Sequence, residues 1–374
     1  MKVTVIRGRS TDSTVYRLAR TLQDNNFNVQ LLLWDRNDTL NNFSDNVINI
    51  KRFNFKAPQD KFSAILFFPI WWTYELIFLL KDDSDVFHAC DLDTIIPATI
   101  AKIIKKKKMV YTIYDFYSNN MPNMRPYFIT NIIRFLVGSI EKFFIGFADV
   151  LFLVDECRKE EIRGSKINSI DYIYNSPPDI EFCKTNLVNV CKPFTIFYAG
   201  GMHSGRGIEY MIKAIDNLDN VKLILAGPES DFERLRKAQC LNDNVQYVGW
   251  LPSYDDVLKY TIGADVLFRF NDPKVPKSRY ESPNKLFEAM MAGKPIITNN
   301  EIGASKIVKD ENCGIIVPYG DVYAIKNAIM TLMLNENLRN MLGNNGRKAY
   351  EEKYSYQIME NRIINMYNLL IAVI

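Results

Sequence analysis

Residues 282–297 read Ser-Pro-Asn-Lys-Leu-Phe-Glu-Ala-Met-Met-Ala-Gly-Lys-Pro-Ile-Ile. Ser282 is a good helix N-cap and Pro283 a good first helical residue, because the first turn leaves its N–H groups unbonded and proline has none. Asn284 and Lys285 then fall in the first turn, and Lys285 and Glu288, three apart, share one face. Leu286, Phe287 and Met290 occupy the other face and pack on a sheet, while Gly293 stops the helix and Pro295 leads into a buried strand. A helix handing over to a strand is the repeating piece of a parallel α/β sheet. Lys285 and Glu288 have two readings. One is an ion pair on a solvated face, contributing about 0.3 kcal/mol. The other is a cation for phosphate and a carboxylate for hydroxyls, presented at one helix end.

The same alternation runs outward along the chain. Strands are expected at 2–6, 29–33, 47–50, 85–89, 109–112, 150–154 and 170–174, with helices at 12–25, 60–80, 92–104 and 127–147. The pattern breaks at Asn175-Ser176-Pro177-Pro178-Asp179 and restarts at Phe194. Strands then follow at 194–199, 221–226, 245–248, 265–268, 295–298 and 314–317, with helices at 207–218, 230–240, 254–262, 321–334 and 356–370 between and after them. A chain of 374 residues fits two such domains. The expected division is 1–176, a linker at 177–193, a second domain at 194–354, and a final helix at 355–374 crossing back to the first. Two open parallel sheets would leave a cleft beyond their carboxyl ends, where ligands of such sheets bind.

With 48% hydrophobic and 24% charged residues the chain can bury two cores, which excludes disorder. A net charge of +3 provides no field for nucleic acid. Six cysteines without a C-x-x-C pair, and only two histidines, His88 and His203, argue against a zinc site or a disulfide framework. The apolar run in MKVTVIRGRS is too short for a signal peptide, so a cytoplasmic chain is expected. Residues 62–80 are apolar but contain Pro69 and Glu75, which favours a buried or interfacial helix over a membrane span.

After the strand at 194–199 comes Gly200-Gly201-Met202-His203-Ser204-Gly205-Arg206-Gly207. Glycines let a backbone approach a ligand closely, and the helix that opens at Gly207 presents N–H groups and a positive dipole end. Arg206 adds a planar donor fork suited to phosphate. A strand–glycine–helix turn is also common packing, so the loop alone does not decide.

The glycine loop with Arg206, the turn Leu223-Ile224-Leu225-Ala226-Gly227-Pro228, the segment Val245-Gln246-Tyr247-Val248-Gly249-Trp250 and Ser282–Ile297 together resemble the C-terminal domain of retaining glycosyltransferases of family 4, in the branch with an S-P-N-K-L-F-E signature. Residues 87–94 and 111–117 are similar to that family's acceptor-side strands. The resemblance implies the GT-B architecture, two facing Rossmann-like domains, with a nucleotide-diphosphate sugar as co-substrate and neither metal nor other cofactor. It also implies that Arg206 meets the donor diphosphate and Glu288 the ribose hydroxyls. Gly200, Gly201 and Ser282, Pro283, Asn284 and Lys285 would meet the sugar phosphate, and Gly249 and Trp250 the base. The sequence departs from the family at three positions. Tyr280 stands where many members carry a sugar-contacting glutamate, Gly201 where many carry an arginine, and Cys90 where several carry a histidine.

On the acceptor side, Arg7, Arg9 and Ser10 follow the first strand and suit a negatively charged acceptor, or else a solvated loop capped by Asp12. Asp91 and Asp115 follow strand ends and either orient the acceptor hydroxyl or serve as a helix cap and a turn aspartate. His88 reads as a core histidine, and His203 as a minor phosphate ligand. Lys105–Lys108 and the apolar helix at 128–147 resemble a peripheral face for an anionic membrane, although a core helix would look similar. The expected activity is transfer of a hexose from a nucleotide-diphosphate sugar to a glycan or lipid-linked acceptor in cell-surface glycan or glycolipid synthesis. In front-face transfer with retention, as the resemblance implies, Arg206, Lys285, Asp91 and Asp115 carry the chemistry. The rivals are a nucleotide-sugar epimerase on the same scaffold and a non-catalytic two-lobed binding protein.

Overall fold

The computed structural model describes residues 1–10, 13–38, 48–58, 62–121, 127–180, 193–238, 241–280 and 282–372. The expected cap Asp12, Glu281, Cys183, Cys191, Cys240 and the linker residues 181–192 lie outside them. The chain divides into two units, one of Met1–Tyr174 with Met359–Ile374, the other of Asn175–Ile358.

The first unit runs β1 (Lys2–Arg7), α1 (Ser13–Asp24), β2 (Asn28–Asp35), β3 (Asn49–Asn54), α2 (Phe68–Lys81), β4 (Val86–Cys90), α3 (Leu92–Lys105), β5 (Lys108–Ile113), α4 (Tyr117–Asn120), α5 (Tyr127–Ile145), β6 (Val150–Leu153) and β7 (Ile170–Tyr172). The strands pair in parallel in the order β3-β2-β1-β4-β5-β6-β7, with Val3 opposite Val29 and Val86. Successive side chains point to opposite faces. Ile6, Leu32, Trp34 and Phe87 meet α2, α3 and α5 on one face. Val3, Val5, Leu31 and Val86 meet α1 and the last helix of the chain on the other. The strand order reverses between β1 and β4, so their carboxyl ends form the crevice of this sheet.

Two expectations change here. The 60–80 segment is a 3₁₀ helix over Phe62–Phe67 followed by α2, with Pro69 in its first turn. In the first turn proline costs no intrahelical hydrogen bond, which favours starting the α-helix just before Pro69. Of 47–50, Val47 lies outside the described residues, and the edge strand β3 starts at Asn49 and continues through Lys51, Arg52 and Phe53 to Asn54, pairing with β2.

The second unit runs β8 (Phe194–Ala199), α6 (Ile208–Ile215), β9 (Val221–Ala226), α7 (Glu229–Lys237), β10 (Val245–Tyr247), α8 (Tyr254–Gly263), β11 (Val266–Arg269), α9 (Asn284–Met291), β12 (Ile296–Asn299), α10 (Gly303–Asp310), β13 (Gly314–Val317), α11 (Val322–Leu334) and α12 (Glu336–Ala349). Its parallel sheet has the order β10-β9-β8-β11-β12-β13, reversing between β8 and β11. Sequence reasoning missed α10 and α12. The sequence of α12, ENLRNMLGNNGRKA, is rich in poor helix formers, and burial of Leu342, Gly343, Gly346 and Ala349 overrides that propensity.

Helix α13 (Tyr356–Ala372) enters the first unit at Met359. Its Tyr367 is fully buried, and the hydroxyl hydrogen-bonds His88 Nδ1 at 2.6 Å, while His88 Nε2 lies 2.6 Å from Thr112 Oγ1. His88 is therefore a core histidine. Burial pushes its pKa down to about 3 and keeps the ring neutral.

Candidate functional site

In the second unit the ends of β8, β9 and β10 are tied together by backbone. Gly200 N donates to Ala226 O (2.9 Å), and Gly227 N donates to Gly249 O (3.0 Å). A Cβ on Gly227 would sit 2.3 Å from Gly200 O, so only glycine permits this approach. Helix α7 holds the loop from outside. Asp231 Oδ2 accepts from Met202 N (2.8 Å), and Arg234 donates to Met202 O (2.6 Å) while pairing with Glu209 at 2.8 Å. Neither Asp231 nor Arg234 stood out in the sequence, because their roles depend on the β8–β9 pairing.

Arg206 Nη1 donates to Asn271 Oδ1 at 2.5 Å, a bond across the point where the strand order reverses. Asn271 is in turn fixed by the sheet, donating its N–H to Asn299 Oδ1 (3.0 Å) and accepting from Asn299 Nδ2 (3.1 Å). Asn299 Nδ2 also donates to Glu301 at 2.8 Å. This chain presents the guanidinium at the carboxyl edge of the sheet. His203 belongs to the same loop, accepting from Arg206 Nε at 3.3 Å.

Lys285 Nζ reaches the glycine loop. It lies 4.6 Å from the centre of the Tyr198 ring and would be 3.2 Å from a Cβ at Gly200. Glu288, on the next turn of α9, is buried and accepts from the Tyr254 hydroxyl at 2.9 Å. Among the described residues no ion pair joins Lys285 to Glu288, so the solvated-pair reading fails. The cap also differs from expectation. Pro283 occupies the N-cap position, Ser282 lies outside the helix with its carbonyl accepting from Asn284 N (3.1 Å), and Asn284 is the first helical residue. Ser282 is therefore not the N-cap residue of α9. Gly249 has φ +80°, and Trp250 after it is 71% exposed.

In the first unit the carboxyl ends of β1 and β4 carry a buried pair, Arg7 with Asp91. Arg7 is the last residue of β1, not a loop residue, and its guanidinium lies 4.9 Å from the Tyr114 ring centre. Asp91 has a positive φ of 66° and makes no side-chain cap to α3. Its Oδ1 instead accepts from Tyr114 N (2.7 Å) and Asp115 N (3.1 Å), clamping the loop after β5. Ser10 is buried and Arg9 exposed.

Asp115 is held by Arg158 at 3.4 Å with its carboxylate about one-third exposed (35%). Burial, then the nearby Asp91 charge, raises its pKa, opposed by Arg158 and Arg9. Asp93 was overlooked in the sequence. It pairs with Arg36 at 3.2 Å, and burial raises its pKa. A Cβ on Gly8 would fall 1.9 Å from Asp93 Oδ2, so a side chain at this turn would displace the Asp93 carboxylate from Arg36. Arg36 stacks 4.1 Å above the Trp34 ring and lines an open pocket of about 480 Å³ together with Asn37 and Lys56.

With this geometry in place, the chain can be set beside known proteins. Residues 181–349 match the family model described as Glycosyl transferases group 1. That supports a glycosyltransferase. The matched span contains every donor-side residue named above. A capsular polysaccharide biosynthesis glycosyltransferase, CapM, of Staphylococcus aureus is 28% identical over 63% of this chain, and the chain spans 65% of that protein's length. An uncharacterised glycosyltransferase of Methanocaldococcus jannaschii is 22% identical over 86% of this chain and 88% of its own. Among solved structures, sucrose-phosphate synthase of Thermosynechococcus elongatus superposes with TM-score 0.77 at 16% identity, over all of both chains. Anabaena HepE, in complex with UDP-glucose, gives TM-score 0.70 at 14% identity over 98% of this chain and 99% of its own. The two parallel-sheet domains have GT-B glycosyltransferases as structural neighbours. The family match lends nothing to the epimerase reading.

Proposed function

We propose that this group 1 glycosyltransferase moves a hexose from a nucleotide-diphosphate sugar to a hydroxyl of a glycan or lipid-linked acceptor, on the cytoplasmic side, with retention of configuration. The observation that carries the reading is the convergence of the glycine loop, Arg206 and Lys285 at one sheet edge, with Glu288 one helical turn beyond Lys285. In this reading Arg206 and Lys285 neutralise the diphosphate, and Glu288, positioned by Tyr254, accepts from the ribose hydroxyls. Gly200, Gly201 and the first turn of α9, from Ser282 and Pro283 to Asn284, let backbone groups approach the phosphates. Gly249 and Trp250 receive the base. The HepE complexes with UDP and UDP-glucose, on the same fold, support a donor of this class.

The reaction breaks the bond from the sugar's anomeric carbon to the diphosphate and forms one to the acceptor oxygen. The acceptor's proton passes to a leaving phosphate oxygen, so no separate metal ion is needed, and Arg206 and Lys285 meet the charge that develops. Asp115, partly exposed with a raised pKa, orients the acceptor hydroxyl. Asp91 acts through it, because its oxygens are committed to Arg7 and to the Tyr114 and Asp115 amides. Arg9 and the pocket of Arg36 and Lys56 suit an acceptor carrying negative charge, with Arg7 and Ser10 shaping the turn beneath.

The test is incubation of the protein with a panel of radiolabelled nucleotide sugars and a membrane extract. Label entering glycan or lipid with the donor's anomeric configuration is the expected result. Epimerised nucleotide sugar formed without any acceptor would overturn the assignment.

A further inference from the structure

The helices that cover the two faces of the first unit's sheet differ in what they show to solvent. On one face, α1 and α13 expose Arg20, Asp24, Gln357, Asn361 and Asn365, with Leu369 as an apolar exception. On the other, α2, α3 and α5 expose Ile77, Ile103, Ile104, Phe128, Phe135 and Phe143, with Phe135 72% and Phe143 64% exposed. These three helices contain three carboxylates, Glu75, Asp93 and Glu141, and all three are buried. The exposed positions of α5 carry no charge: Lys142 is half-buried, and Arg134, also half-buried, folds back to donate to Met121 O at 2.6 Å. The 63–81 segment is long and apolar enough to cross a membrane, yet Phe68, Trp71 and Leu79 seat it in the unit's own core.

The lysine run at 105–108 is less available than the sequence implies. Lys105 donates to the Asp82 and Leu79 carbonyls, and Lys107 pairs with Asp85 at 3.6 Å. Lys81 and Lys106 stay exposed where α2 and α3 end, and the exposed Asp83 beside them is paired with Lys2, so the apolar face has a cationic margin.

We infer that the outer faces of α2, α3 and α5 seat this protein on an anionic bilayer, with the Ile and Phe side chains at the headgroup–acyl boundary and Lys81 and Lys106 against lipid phosphates. Exposed apolar patches of this extent mark interaction sites. An apolar face with cations at its edge and its acids turned inward fits an anionic lipid surface. A second copy of the same face would set like charges against each other.

The experiment is flotation of the full chain with vesicles of phosphatidylcholine alone and of phosphatidylcholine with phosphatidylglycerol. The protein is expected to float with the anionic vesicles. Phe135→Asp with Phe143→Asp should lower vesicle affinity at least tenfold while leaving the melting temperature and donor-nucleotide affinity unchanged. Lys81→Glu and Lys106→Glu should each lower it about fivefold on anionic vesicles and little on neutral ones. Wild-type protein that floats with neither vesicle overturns the inference, as does a double aspartate variant that floats like wild type. A wild-type dimer at micromolar concentration, dispersed by Phe135→Asp and indifferent to vesicles, would assign the face to a second copy instead.

Discussion

The Tyr254 hydroxyl donates to Glu288 Oε1 at 2.9 Å, so the first residue of α8 steadies a buried carboxylate on α9. A carboxylate accepting from two ribose hydroxyls makes charge-assisted bonds worth about 1.5–3 kcal/mol each. Glu288→Ala should therefore lower nucleotide-sugar affinity at least tenfold by calorimetry, and Tyr254→Phe only a few-fold. Unchanged affinity in Glu288→Ala would remove the ribose role.

Arg206 and Lys285 are proposed to act where charge appears on the leaving diphosphate. Losing one such donor costs on the order of 10²–10³ in kcat. Arg206→Ala and Lys285→Ala should each show that loss with a smaller change in KM. Chelation of divalent ions should leave wild-type turnover unaltered, and a collapse of activity in chelator would show that a metal shares this work. Asn271→Leu should reproduce part of the Arg206 defect, because it releases the guanidinium without removing it.

The Arg7–Asp91 pair is buried at both ends. Removing one partner of such a pair costs about 3–5 kcal/mol. Asp91→Asn and Arg7→Met should lower the unfolding free energy of the first unit, read from denaturant titration, by that amount, and the double variant should lose less than the sum. Asp115→Asn, in contrast, should cost little stability and reduce kcat. Equal stability losses at Asp91 and Asp115 would contradict this separation of roles.

His88 is buried neutral with its pKa pushed from 6.5 to about 3. Between those values the unfolded chain binds a proton that the folded one does not, so this group's stabilisation is complete above pH 6.5 and declines as pH falls. The slope is about 1.4 kcal/mol per pH unit. Glu161 acts in the opposite sense, because burial raises its pKa from 4.5 to about 7, and its stabilisation is lost as pH rises through that range. The difference between wild type and His88→Gln, measured from pH 6 to pH 4, isolates the histidine. A pH-independent difference would mean that the ring is charged in the fold.

The alternation of strands and helices was legible because strands buried on two faces read as apolar runs, as in Leu31–Trp34 of β2 and in β6. Edge strand β3, with Lys51 and Arg52 at its centre, gives no such signal. Among site residues, Lys285 and Glu288 were readable from their spacing on one helix. Asn271, Asn299 and Asp231 were not, since each matters only through a neighbour that the sheet order supplies. The lysine run at 105–108 shows the converse error. Its residues looked like a surface feature, and two of them are spent on the loop that joins α2 to β4.

Tyr367 has a consequence for how the chain is made. The cavity it fills, beside His88 and Phe27, belongs to a sheet whose strands are all synthesised within the first 172 residues. During translation the first unit must therefore wait, with that slot open, while the 184 residues of Asn175–Ile358 emerge and acquire a core of their own. The later-synthesised unit can finish folding first, and a ribosome stalled before codon 359 would leave the earlier one with a hole in its wall.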